Sequence, residues 1–187
     1  MNSKLVIGLA GMSGAGKSIV VNAAKERGYA VVVMGDVVRQ EAKNRMLEPT
    51  PENIGKIMLE LRQREGQAAI AKRCVSKIEA VKEPKIVVDG IRSLNEVDEF
   101  KNHFSRFNLV AVHASPETRF KRLYRRRRSD DPADWAVFQE RDMRELSVGL
   151  GNAIAMAEHM IVNEEEFATT RKRAEEVLEK VEKKWIK

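Results

Sequence analysis

Apolar residues fall in two patterns along the chain. Five short runs, Leu5 to Leu9, Ala30 to Met34, Ile86 to Asp89, Leu109 to His113 and Met160 to Val162, are nearly continuous in apolar residues and rich in β-branched ones. Such runs read as strands, and the lack of polar alternation implies that both faces of each strand are covered. Between them, apolar residues recur at helical spacing. Ile54, Ile57, Met58 and Leu61 make one stripe, and Ala71, Cys74, Val75 and Ile78 make a second beyond Gly66, so a break is expected near Gly66. Another helix opens at Ser115 with Pro116 in its first turn; Phe120, Leu123 and Tyr124 share one face, and Arg119, Arg122 and Arg126 another. Ala174, Val177, Leu178, Val181 and Trp185 mark the last helix. Strands alternating with helices predict an α/β sandwich of parallel strands between helical layers.

Composition narrows this picture only slightly. A chain of 187 residues is long enough for one domain with a sizeable core, and no linker, repeat or low-complexity tract divides it. No apolar run approaches the roughly 20 residues of a membrane span, and the N-terminus runs into a strand pattern without a cleavable signal, so a cytoplasmic protein is expected. Cys74 sits on an apolar helical stripe and reads as a small core residue. His103, His113 and His159 lack metal-ligand spacing. The formal charge of +6 favours an anionic partner without choosing between nucleotide, nucleic acid and membrane.

The chemistry begins at Gly11-Met12-Ser13-Gly14-Ala15-Gly16-Lys17-Ser18, a full match to G-x-x-x-x-G-K-[ST] between a strand and a helix. Glycines let the backbone curl so that its N–H groups converge on a phosphate, and the following helix adds the positive end of its dipole. Lys17 is placed to reach the β- and γ-phosphates, and the Ser18 hydroxyl to bind magnesium. Gly28 reads as the C-cap of that helix. The third strand ends Asp89-Gly90-Ile91-Arg92 and no N-K-x-D follows, which argues against a GTPase switch. Asp89, at the carboxyl edge where open α/β sheets bind ligands, is a candidate to hold magnesium through water. Asp36 and Arg39, after the second strand, share a helix face and are candidates to hold an acceptor, with Arg92 gripping its phosphate.

Arginine is concentrated from Arg119 to Arg144, at Arg119, Arg122, Arg125, Arg126, Arg127, Arg128, Arg141 and Arg144. Phosphoryl transfer needs such donors, because charge spreads over the oxygens of the moving group. Arg125 and Arg127 read instead as solvated charges.

These residues resemble the nucleoside-monophosphate kinase superfamily, and most of all an archaeal group described as adenylate-kinase-related or dephospho-CoA-kinase-like nucleotide kinases. The carriers are GMSGAGKS at 11 to 18, MGDVVRQE at 34 to 41, VVDGIRS at 87 to 93, HASPETRFKRL at 113 to 123, RSDD at 128 to 131, RDMRELSVGLG at 141 to 151 and IVN at 161 to 163. The resemblance implies a P-loop NTPase fold with a five-stranded parallel sheet, an acceptor-binding helical segment at about 36–81 and a short lid at about 125–135. It implies ATP and Mg2+ as cofactors. It also implies roles for Arg122, Arg126 and Arg128 about the lid, for Arg141 in the transition state and for Asn163 beside the adenine. The lid is shorter than in adenylate kinases, and Asp89-Gly90-Ile91-Arg92 lacks one residue of their D-G-x-P-R.

The expected activity is therefore transfer of the γ-phosphoryl group to a small nucleotide-like acceptor. Asp36 suits a hydroxyl acceptor, since a carboxylate takes a proton from a hydroxyl but repels a phosphate. The arginine pattern suits a phosphate-bearing one. Nucleoside monophosphate and dephospho-CoA types both stay open. The rival is a nucleotide-regulated RNA-binding protein with weak ATPase activity, which the pI near 9.5 favours and the scarcity of aromatics opposes.

Overall fold

A computed structural model describes residues 4–127 and 131–185. Strands β1 (Leu5–Ala10), β2 (Ala30–Val33), β3 (Lys85–Ile91), β4 (Arg106–His113) and β5 (His159–Val162) form one all-parallel sheet in the order β2-β3-β1-β4-β5. The helices are α1 (Lys17–Glu26), α2 (Met34–Asn44), α3 (Pro51–Glu65), α4 (Ala69–Ala80), α5 (Leu94–His103), α6 (Pro116–Arg126), α7 (Trp135–Ser147), α8 (Leu150–Ala155) and α9 (Phe167–Trp185). This is the expected α/β sandwich. Each apolar run is a strand, with one correction. Met34 does not end β2 but opens α2, and its side chain is buried there.

Alternate strand residues feed two apolar layers. Val6, Ile86, Val88 and Leu109 pack with Ile57, Leu61, Cys74, Ile78 and Phe100 on the side of α2 to α5. Ile7, Val87, Val110 and Val112 pack with Val20, Ala24, Leu178 and Val181 from α1 and α9. Each fully buried large aliphatic side chain contributes about 1.5–3 kcal/mol, so these two layers hold the sheet. Cys74 is a core residue as expected; burial pushes its thiol up to about 12, which leaves it inert. The break between α3 and α4 falls at Gly66, which has φ +91. Gly28, also at positive φ, follows the C-cap Arg27 and donates to Lys25 O.

Strand register brings the chemistry to one edge. Leu9 of β1 and Val33 of β2 both pair with Asp89 of β3, so the three strands end level. The Gly11–Ser18 loop, the Asp36 helix and Arg92 therefore emerge side by side at the carboxyl edge. The segment at 36–81 holds α3, α4 and all but the first two residues of α2. Among the described residues no helix is long and apolar enough to cross a membrane.

Candidate active site

The Gly11–Ser18 loop wraps the end of β1 into α1. Gly16 is the N-cap at φ +97, and a Cβ there would lie 2.1 Å from Asn163 Nδ2, so only glycine fits. Asn163, 2% exposed after β5, donates from Nδ2 to Ala15 O at 2.8 Å and accepts from Thr170 Oγ1 at 2.9 Å. Arg122 Nη2 donates to Asn163 O at 3.0 Å and Oδ1 at 3.2 Å. Asn163 thus braces the loop from beneath, and its side chain is committed to that task. Arg122 keeps a buried Nη1 with no hydrogen-bond partner among the described residues. Met12 and Ala15 turn their side chains into the protein. Gly14 is at φ +82, and Ser18 is exposed in the first turn of α1.

Lys17 Nζ donates to Gly11 O at 2.6 Å and Met12 O at 3.3 Å, within its own loop. Burial lowers its pKa, opposed by Asp89 and Glu145. Asp89 is held above the usual aspartate range by burial, against the pull of Lys17 and Arg92. Its Oδ1 is buried without a hydrogen-bond partner among the described residues. A buried acceptor left unpaired is costly, and a hydrated cation held jointly with Ser18 would satisfy it.

Glu145 of α7 accepts from Ser13 Oγ at 2.8 Å and Ser13 N at 3.3 Å. Burial pushes its pKa up, but Arg92, the Ser13 hydroxyl, Arg141 and Lys17 together outweigh that and hold it below the usual range. Arg141 Nε lies 3.7 Å from the same carboxylate. Arg119, 3% exposed, grips Asp142 of α7 with two bonds of 2.8 and 2.6 Å and donates to Ser13 O at 3.3 Å. Its guanidinium also covers the Phe138 ring. Arg119, Asp142 and Glu145 therefore dock α6 and α7 on the P-loop. Glu145 lies one helical turn beyond Arg141, the sequence signal that points to it. At the lid, Arg126 Nε donates to Asp131 Oδ2 at 3.0 Å. Arg128 lies outside the described residues. Arg125 and Arg127 are exposed.

A cavity of about 230 Å³ opens beside the loop. The P-loop contributes Gly11, Ser13 and Lys17, while Arg39, Arg62 and Arg92 supply further positive charge and Asp89, Glu96 and Glu145 negative charge. Arg39 binds Asp36 Oδ1 through Nε at 3.1 Å and Nη2 at 2.5 Å. Asp36, expected in the acceptor site, is not among the residues lining the cavity, and its side chain is 57% exposed. Arg92 Nη1 points to Met58 Sδ at 3.6 Å, a weak acceptor. Arg62 was not apparent from periodicity alone, although it follows Ile54 and Met58 at four-residue steps. A charge on an apolar stripe is the signal that marks it.

Fold and site define a P-loop protein of kinase-like architecture. A family model described as an AAA domain matches residues 10–139. The chain belongs to that family and, more narrowly, to the UPF0200 proteins. It is 47% identical over 173 residues to the UPF0200 protein of Hyperthermus butylicus, covering 91% of this chain and 92% of that one. It is 46% identical to the one from Methanocaldococcus jannaschii, covering 95% and 90%. Among solved structures, shikimate kinase from Acinetobacter baumannii in complex with shikimate superposes with a TM-score of 0.61 at 13% identity, covering 100% of this chain and 97% of that one. A gluconokinase from Sinorhizobium meliloti 1021 gives 0.59 at 16%, covering 97% and 95%. At such identities the likeness is one of fold.

Proposed function

We propose that this protein is an ATP-dependent phosphotransferase that passes the γ-phosphoryl group to a small nucleotide-like acceptor. The observation that carries this reading is that the P-loop and Lys17 share one cavity with arginines of α2, α3 and the end of β3. A cavity of about 230 Å³ lies below the roughly 300–1,000 Å³ of drug-sized sites, which suits a small acceptor or one end of a larger one. The names of the two fold neighbours, kinases of small molecules, point the same way.

In this reading the loop amides and the α1 dipole hold the β-phosphate, and Lys17 leaves its carbonyl partners for the γ-phosphate. Arg122, Arg128 and Arg141 stabilise the charge that develops as the acceptor oxygen bonds to phosphorus and the bond to ADP breaks. Arg126 and the loop at Asn163 border the nucleotide. Ser18 and, through water, Asp89 would hold magnesium, which would supply positive charge to offset that of the phosphates. A hydroxyl acceptor gives its proton to Asp36; a phosphate acceptor has none to give and is bound by Arg39 and Arg92. Both acceptor types, nucleoside monophosphate and dephospho-CoA, remain within the proposal. ADP release from magnesium-ATP against nucleoside monophosphates, nucleosides and dephospho-CoA is the test. One acceptor is expected to raise release well above background, and Lys17→Ala to reduce it at least 100-fold; a flat panel overturns the reading.

RNA binding draws on one feature. Tyr124 and Trp135, 52% and 40% exposed, flank Phe120 near Arg125 and Arg127 at the base of the lid. Submicromolar RNA affinity falling steeply with salt is the result that would favour it.

A further inference from the structure

Glu145 is an anion seated on a loop whose chemistry is to hold anions. The residue is 9% exposed, and each carboxylate oxygen takes one donor of Ser13: Oε1 accepts from Oγ at 2.8 Å and Oε2 from the main-chain N–H at 3.3 Å. Arg141 Nε lies 3.7 Å from the same carboxylate. Lys17 and Arg92 add positive charge from the loop and from the end of β3. A main-chain N–H of the P-loop, a hydroxyl and three cations thus converge on two oxygens. Phosphoryl oxygens ask for the same donors.

The fold has another way to dock α7 on the loop. Arg119 grips Asp142 with two bonds and donates to Ser13 O at 3.3 Å, one helical turn before Glu145. A buried carboxylate is costly unless cations offset its lost hydration, and a neutral amide of the same shape would accept from Ser13 without that cost. Docking alone therefore gives weak grounds for a charge at this place. The position of Ser13 gives stronger ones. Ser13 lines the cavity together with Lys17, Arg39 and Arg92, on the side where an acceptor would lie. The phosphate that meets Ser13 is accordingly the terminal one of a triphosphate, while the amides nearer α1 hold the β-phosphate. A γ-phosphate and an ionised Glu145 cannot share these donors, because like charges so close repel.

We propose that Glu145 is a built-in competitor of the γ-phosphate: its carboxylate occupies the Ser13 donors until a nucleoside triphosphate exchanges its terminal phosphate for it. A diphosphate ends one phosphate short and leaves Glu145 in place. The exchange also turns Arg141 and Lys17 from the carboxylate to the phosphate, so the positive charge that serves transfer is redirected when a transferable group is bound. The inference deepens the phosphotransferase reading and rests on the nucleotide site of that reading.

The test is calorimetric binding of magnesium with ADP and with a non-hydrolysable ATP analogue, to the natural protein and to Glu145→Gln. Glutamine keeps the shape and can still accept from Ser13, but carries no charge. Its Kd for the analogue is expected to fall at least tenfold while its Kd for ADP moves less than threefold. A merely structural role would move both nucleotides together. Should the amide variant fail to fold, Glu145→Met, of similar volume and also uncharged, is judged by the same ratio. Equal changes for the two nucleotides, no change, or weaker binding of the analogue overturns the competitor while leaving the phosphotransferase reading intact. If neither nucleotide binds either protein, the nucleotide site itself fails and the inference falls with it.

Discussion

Asp89 and Glu145 are two carboxylates beside the same lysine with opposite shifts, and the difference lies in their partners. Burial dominates at Asp89, whose Oδ1 has no hydrogen-bond partner among the described residues. At Glu145 the Ser13 hydroxyl and three cations overcome burial. The folded-state pKa of Asp89 is raised, so its contribution to stability is complete in acid and is lost as pH rises through that value. Asp89→Asn is therefore expected to raise the thermal midpoint at pH 7, with the gap closing as pH falls from the raised folded-state value to the ordinary aspartate value. Melting curves from pH 3 to 8 check this, and a gap that persists in acid would assign the gain to packing. Magnesium-ATP should stabilise the natural protein more than Asp89→Asn, since the asparagine has no charge to offer the metal. In this reading the carboxylate is kept at a cost to the fold, as functional groups often are.

Elements meet at the P-loop through residues far apart in sequence. Arg119 of α6 and Asp142 of α7 pair with side chains 4% and 13% exposed, and Arg119 also holds Ser13 O. Removing one partner of such a pair leaves an uncompensated charge and costs about 3–5 kcal/mol. Asp142→Ala should lower the melting midpoint by roughly 6–20 °C at the usual 2–4 °C per kcal/mol for this size, and raise the KM for ATP through the loosened loop. A loss of stability with ATP binding untouched would separate the pair from the loop.

The elements also show what sequence makes legible. Five apolar runs located five strands, because burial on both faces leaves an unbroken signal. The start of β4 was hidden by Arg106 and Asn108; Asn108 is buried, with its Oδ1 accepting from Lys184 Nζ of α9 at 3.3 Å, a tertiary fact. The P-loop was legible because its function resides in eight contiguous residues. Arg62, Glu96 and Glu145 were not, since their meaning depends on neighbours that only folding supplies. The resemblance placed Asn163 beside the adenine; in the structure its side chain donates to Ala15 O.

At the scale of the molecule, parallel strand register sets the ends of β1, β2 and β3 level, and that edge gathers the P-loop, the α2–α3 arginines and the helices that dock on the loop. One cavity shared by donor and acceptor would place the γ-phosphoryl group against an acceptor oxygen rather than against bulk water. Phosphorus NMR of magnesium-ATP turnover with the best acceptor of the panel therefore tests the central claim most directly. The account predicts one new phosphorylated product in step with ADP, with little free phosphate, and neither in the Lys17→Ala protein. Free phosphate as the sole product, formed at a rate indifferent to any acceptor, would contradict it.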